Sequence, residues 1–71
     1  MPRLPILSGG EVIRVLETLG FRKLRQSGSH VILRLGNRGC VVPLHDTVKT
    51  GTLAGILRQA GITPEAFVAA L

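Results

Sequence analysis

The sequence predicts an α+β fold in which one helix precedes a three-stranded antiparallel sheet, followed by a second helix and a short third helix. Three observations support this prediction: a helical apolar period after Gly10, three short β-like runs between glycine-containing turns, and a second helical period after Thr50. With 71 residues, the chain has room for one domain. Its core should be thin, since so short a chain buries only about 60% of its unfolded surface.

The first helix is predicted over residues 10–20. Its apolar residues recur at the helical period at Val12, Val15, Leu16 and Leu19. Ser8 is a suitable N-cap, and the carboxylate of Glu11 favours the positive end of the helix dipole. Gly20 is expected to end the helix, because glycine readily adopts the left-handed conformation found there.

Three strands are predicted at residues 21–26, 30–35 and 39–43, separated by the turn sequences SG and GNRG. In the middle strand, Val31, Leu33 and Leu35 alternate with more polar positions. We expect these three side chains to point toward the helices. His30 and Arg34 then share the opposite face of the sheet.

The second helix is predicted from the apolar spacing in TGTLAGILRQAG, with Thr50 or Thr52 as N-cap and Gly61 as its end. Thr63 and Pro64 open a last helix that runs to Leu71. The helices are expected to pack on one face of the sheet and to leave the other open. Double-stranded-RNA-binding domains share this layout, which does not by itself assign a function.

The charge favours a polyanionic partner. Nine Lys and Arg residues against four Asp and Glu give a net charge of +5, and nucleic acid is the natural candidate. The lone Cys40 cannot form an internal disulfide, and the N-terminal sequence does not resemble a signal peptide. The apolar runs are too short for a membrane span. We therefore expect a cytoplasmic protein without a membrane partner.

Several kinds of site are disfavoured. Two histidines and one cysteine are too few for an ordinary zinc site, and GNRG lies between strands rather than before a helix, where a phosphate-binding loop would be. We predict no metal and no small-molecule cofactor. The chain has two Phe and no Tyr or Trp, so RNA would be recognised through phosphate, ribose and shape rather than by base stacking.

Basic residues are concentrated around the predicted strands and the second helix. The candidate RNA-binding side chains are Arg22, Lys23, Arg25, Arg34, Lys49 and Arg58, with Arg38 nearby. Any one of them is an ordinary solvated charge, but as a group they favour binding to phosphates.

His30 follows Gly28 and Ser29, and two interpretations are open. It is either a polar residue at the start of a strand or a proton-transfer group, because imidazole titrates near neutral pH and can take a proton from a ribose 2′-hydroxyl. Gly28 allows a sharp turn, and Ser29 offers hydrogen-bond donors to a phosphate oxygen. For His45, an ordinary loop residue is the simpler interpretation, and a second proton-transfer group is the alternative.

Three motifs resemble the HicA-type (YcfA-like) toxins of toxin–antitoxin pairs. They are G-S-H at Gly28 to His30, V-P-x-H at Val42 to His45, and G-T-L-x-x-I-L-R-Q-A-G at Gly51 to Gly61, within a similarity that spans roughly residues 8 to 67. The resemblance implies a double-stranded-RNA-binding-like fold, ribosome-independent cleavage of mRNA and inhibition of translation and growth. It also implies a HicB-type antitoxin as partner and a catalytic role for His30. The antitoxin is expected to cover His30 and the basic face.

The chain departs from the family pattern at two positions. Ala54 stands where relatives often have a basic residue, which weakens the expected phosphate contact along the second helix or shifts it to Arg58. Thr50 stands where a proline is common, and this change fits a helix start. Two rivals to the nuclease stay open: a non-catalytic RNA-binding module in which His30 contacts a 2′-hydroxyl, and an inactive toxin kept for its partner.

Overall fold

A computed structural model describes residues 3–71, and its element order is the one predicted from the sequence. The elements are α1 (Gly9–Thr18), β1 (Arg22–Ser27), β2 (His30–Leu35), β3 (Arg38–Pro43), α2 (Thr50–Ala60) and α3 (Pro64–Ala69). The strands form an antiparallel sheet in the order β1-β2-β3. The predicted fold class is confirmed, with strand bounds within one residue of those expected.

Helix α1 begins at a capping box made by Ser8 and Glu11. The Glu11 N–H donates to Ser8 Oγ at 3.1 Å, and the Ser8 N–H donates to Glu11 Oε1 at 3.0 Å, which satisfies two main-chain donors at the helix start. Hydrogen bonding with Ser8 lowers the pKa of Glu11, and the main-chain N–H of Ser8 has a larger effect than its hydroxyl. The helix ends at Thr18, earlier than predicted, and Gly20 follows at φ 104°.

The predicted N-cap of α2 is wrong. The cap residue is Lys49 rather than Thr50 or Thr52, and its side chain makes no capping hydrogen bond. The reason is tertiary: the Val48 N–H donates to the Leu7 carbonyl at 2.7 Å, and this bridge holds the chain extended up to the helix start. The predicted end is correct, because Gly61 has φ 69°.

Helix α3 starts as predicted and stops short of the predicted end at Leu71. Thr63 caps it by accepting a hydrogen bond from the Ala66 N–H at 3.1 Å, and Pro64 occupies the first turn. The helix ends at Ala69. Its Phe67 is fully buried and joins this short element to the core.

Both hairpins have two-residue loops that begin with glycine. Gly28-Ser29 joins β1 to β2 and Gly36-Asn37 joins β2 to β3, with φ of 58° and 62° at the two glycines. The second loop residue has a negative φ in each case, a combination characteristic of type II′ turns. The first turn lies one residue later than the predicted SG loop, and the second begins at the same residue as the predicted GNRG loop but is two residues shorter.

The helices cover one face of the sheet. The strand side chains that enter the core from this face are Val31, Leu33, Cys40 and Val42. Leu35 was expected to join them, but it is 37% exposed, because it lies at the sheet's end beside the hairpin loop, where its side chain approaches Gly20. No helix in residues 3–71 combines the length and apolar character needed to span a bilayer.

Gly9 brings the start of α1 close to the end of β3. A Cβ at this position would overlap the carbonyl oxygen of Pro43 and lie 2.9 Å from Leu44 Cα. The Gly9 N–H donates to the His45 carbonyl at 2.8 Å. The first turn of α1 therefore rests on the main chain that leaves β3.

Replacing Gly9 with alanine should destabilise the protein by about 1–3 kcal/mol, because the added methyl forces the backbone at Pro43 to move. The matched control is Gly10→Ala, whose Cβ meets nothing closer than Ser8 Oγ at 3.9 Å. That change should stabilise the protein by roughly 0.4–1 kcal/mol. Urea unfolding followed by circular dichroism measures both, and equal effects would contradict the predicted contact.

Burial raises the pKa of the Cys40 thiol from 9.0 to about 11. The folded protein therefore keeps this proton at pH values where the unfolded chain loses it, so the free energy of unfolding should fall as pH rises from about 9 to 11. The loss should total about 2–3 kcal/mol, at 1.36 kcal/mol per pKa unit. Urea titrations across this range should show the fall in the wild type and a smaller one in Cys40→Val, and parallel curves would refute the assignment.

Candidate active site and basic sheet face

His30 is the first residue of β2 and is exposed. It pairs with Ser27 on β1 and with Pro43 on β3, so main chain holds it from both sides. By strand alternation its side chain belongs to the face opposite Val31 and Leu33. An exposed imidazole on a rigid strand is available for proton transfer.

The turn before His30 is organised by Gly28. Its φ of 58° is costly for other residues, whereas no atom lies within 4 Å of the position a Cβ would take. The turn therefore requires glycine because of this positive φ, and not because a side chain would lack space. Gln26 Nε2 donates to the Gly28 carbonyl at 2.9 Å, and Ser29 is exposed beside it.

The segment that carries His45 joins the same end of the sheet. The Leu44 N–H donates to the Ser29 carbonyl at 2.6 Å, immediately before His30. His45 is exposed, and its carbonyl accepts the bond from Gly9. The V-P-x-H segment is thus bound to the G-S-H turn and to the start of α1 by main-chain hydrogen bonds.

The sheet separates the predicted basic residues into two groups. Arg22 pairs with Arg34, and Arg25 pairs with Ile32, so these three arginines share the open face with His30. The remaining three lie elsewhere: Lys23 is on the side of Leu33, Lys49 precedes α2, and Arg58 is in the last turn of α2. All six are exposed.

The acidic residues lie away from the strands. Glu11 and Glu17 are on α1, Asp46 is in the loop before α2, and Glu65 is on α3. The open face therefore has a positive charge that no carboxylate on the sheet offsets. Such a face attracts phosphates or an acidic protein surface.

Sequence reasoning missed two features of this region. Gly9 was not recognised as the contact that holds the His45 segment, since a Gly-Gly pair at a helix start carries no specific signal. The exposure of Leu24 and Val41 was also missed, because apolar strand residues are normally expected to be buried. Within residues 3–71, no group of three or more His, Cys, Asp or Glu side chains comes together in a metal-binding arrangement.

The sequence matches a known protein family over most of its length. Residues 9–62 match the family model described as the HicA toxin of bacterial toxin–antitoxin systems. A search of curated proteins found no match. The matched region begins at the glycine that contacts Pro43, contains the G-S-H turn and the whole sheet, and ends after α2. Since the match covers more than half of the chain, this protein belongs to the HicA toxin family, which comprises toxins of bacterial toxin–antitoxin systems.

Proposed function

We propose that this toxin is an endoribonuclease that cleaves mRNA without a metal, with His30 as its catalytic residue. The supporting observation is the exposed His30 at a glycine turn on a face that also carries Arg22, Arg25 and Arg34. Cleaved mRNA cannot be translated, so this activity would inhibit translation and growth. A HicB-type antitoxin is the proposed partner.

The proposed reaction is internal attack by a ribose 2′-hydroxyl on the adjacent phosphate. His30 takes the hydroxyl proton as the new oxygen–phosphorus bond forms, and the bond from phosphorus to the 5′-oxygen breaks. The departing oxygen receives a proton from His45 or from water. Arginine side chains on the open face offset the charge on the phosphate, and Gly28 and Ser29 position it.

The basic residues outside the open face have a different proposed part. Lys23, Lys49 and Arg58 would contact phosphates farther along the RNA, because their positions on the sheet edge and on α2 do not share the face of His30. Arg58 Nη2 lies 3.7 Å from where a Gly55 Cβ would be, and Ala54 is four residues before Arg58, on the same side of α2. Arg58 is therefore available for the phosphate contact that Ala54 cannot make.

The His30→Ala variant should lose RNA cleavage by about 10²–10⁴-fold, the usual contribution of a proton-transfer group, while it retains RNA affinity. End-labelled mRNA incubated in EDTA measures cleavage, and fluorescence anisotropy measures binding. The His45→Ala variant decides between His45 and water as the proton donor. If neither the wild type nor His30→Ala cleaves and both bind equally, the non-catalytic RNA-binding module becomes the better account.

Arg25→Gln should reduce the slope of log affinity against log salt concentration by about 0.7, the contribution of one phosphate on single-stranded RNA. The matched control is Arg14→Gln, which removes an exposed arginine on α1, away from the strands. That variant should keep the wild-type slope. Titrations at four salt concentrations test this, and equal slopes for Arg25→Gln and the wild type would remove Arg25 from the RNA-binding surface.

A further inference from the structure

The open face of the sheet carries exposed aliphatic side chains as well as arginines. Leu24 is 57% exposed, Val41 is 39% exposed, and Ile32 is partly exposed between their strands. Ile32 pairs directly with Val41, and all three residues line one open groove of about 770 Å³. We call these three residues the aliphatic strip.

The aliphatic strip is distinct from the candidate catalytic centre. His30 does not line the groove, and Ile32 follows His30 by two residues, roughly 7 Å along the strand. The groove continues away from His30 toward Arg34 and Gly39, where the glycine leaves space opposite the arginine, and it reaches the β2–β3 loop and Gln59 of α2. A ligand in the groove would therefore lie next to His30 rather than over it.

The chemistry of the strip favours a protein over RNA. Aliphatic side chains offer no hydrogen bonds to phosphate or ribose, and bases stack on aromatic rings or guanidinium groups rather than on leucine and valine. Contiguous exposed apolar residues with a polar rim are typical of protein–protein contacts. The apolar surface of the strip is removed from water most effectively when apolar side chains of a partner cover it.

The rim of the strip specifies the charge of that partner. Arg34 and Arg38 line the groove, Arg25 pairs with Ile32, and none of the groove residues is acidic. A surface with aliphatic side chains flanked by Asp or Glu matches both the strip and its rim. A basic partner would be repelled.

We propose that the aliphatic strip is the docking site for the antitoxin, which contacts it with an acidic segment containing aliphatic side chains. This inference rests on the proposed antitoxin partner and does not depend on RNA cleavage. The antitoxin contact and the catalytic centre are adjacent and can be separated by mutation.

The test uses the full chain with Leu24→Gln and Val41→Gln, which remove apolar surface without adding charge. Binding of the purified cognate HicB-type antitoxin is measured by calorimetry. The double variant should bind it about 10–100-fold more weakly, because the two partly exposed side chains together offer about the area of one fully exposed side chain, whose burial is worth one to two factors of ten. RNA affinity should stay at the wild-type value. The matched control is Ile6→Gln with Leu71→Gln, which changes two similarly exposed apolar residues outside the sheet and should leave antitoxin affinity unchanged.

Each contrary result has a definite meaning. Unchanged antitoxin affinity in the Leu24 and Val41 variant would overturn the proposal, as would a loss of RNA affinity, which would assign the strip to RNA. Self-association of the wild type that the variant abolishes would assign it to a second copy of the chain. If the wild type does not cleave RNA, the proposed nuclease activity is refuted, and the proposal for the aliphatic strip is unaffected.

Hydrogen exchange on the unmodified complex gives a second readout that does not depend on variant folding. Antitoxin binding should slow exchange of the amides in β1 around Leu24 and in β3 around Val41. Exchange in α3, on the opposite side of the sheet, should not change. Protection confined to the helices would contradict docking on the strip.

Discussion

The main-chain junction between Gly9 and the Pro43–His45 segment is the contact on which the candidate site depends. Gly9 packs against the Pro43 carbonyl and donates to the His45 carbonyl, while the Leu44 N–H donates to Ser29. Pro43 also pairs with His30. The start of α1, the G-S-H turn and the segment before α2 thus meet through backbone atoms, which have less conformational freedom than side chains. His30 is positioned by this junction.

The sheet has two chemically different faces because its helices lie on one side. Val31, Leu33 and Val42 are buried there and supply the apolar area that stabilises a short chain. The other face keeps His30 and arginines in solvent. Under our proposals, both RNA and the antitoxin bind to this face. The arginine side chains would contact both partners, and the aliphatic strip would contact the antitoxin.

Much of the fold was predictable because local signals agreed with the tertiary structure. The helical period, the glycine turns and the Thr63-Pro64 start of α3 each reflect short-range physical chemistry. The N-cap of α2 was not predictable, since a bridge between Leu7 and Val48 sets where the helix begins. The exposure of Leu35 likewise depends on how far the helices reach across the sheet.

For the candidate site, the residue types and spacing in the sequence singled out His30 but left two interpretations open, and the family resemblance carried by the motifs favoured the catalytic one. Strand alternation was enough to place His30 on one face with Arg34. The tertiary structure added what sequence periodicity cannot contain. Strand register brought Arg22 and Arg25 to the face of His30, and the hydrogen bond from the Leu44 N–H to the Ser29 carbonyl brought the His45 segment beside it. The physical reason is range. Turns and helix caps act over a few residues, whereas register and close backbone packing join residues that are far apart along the chain.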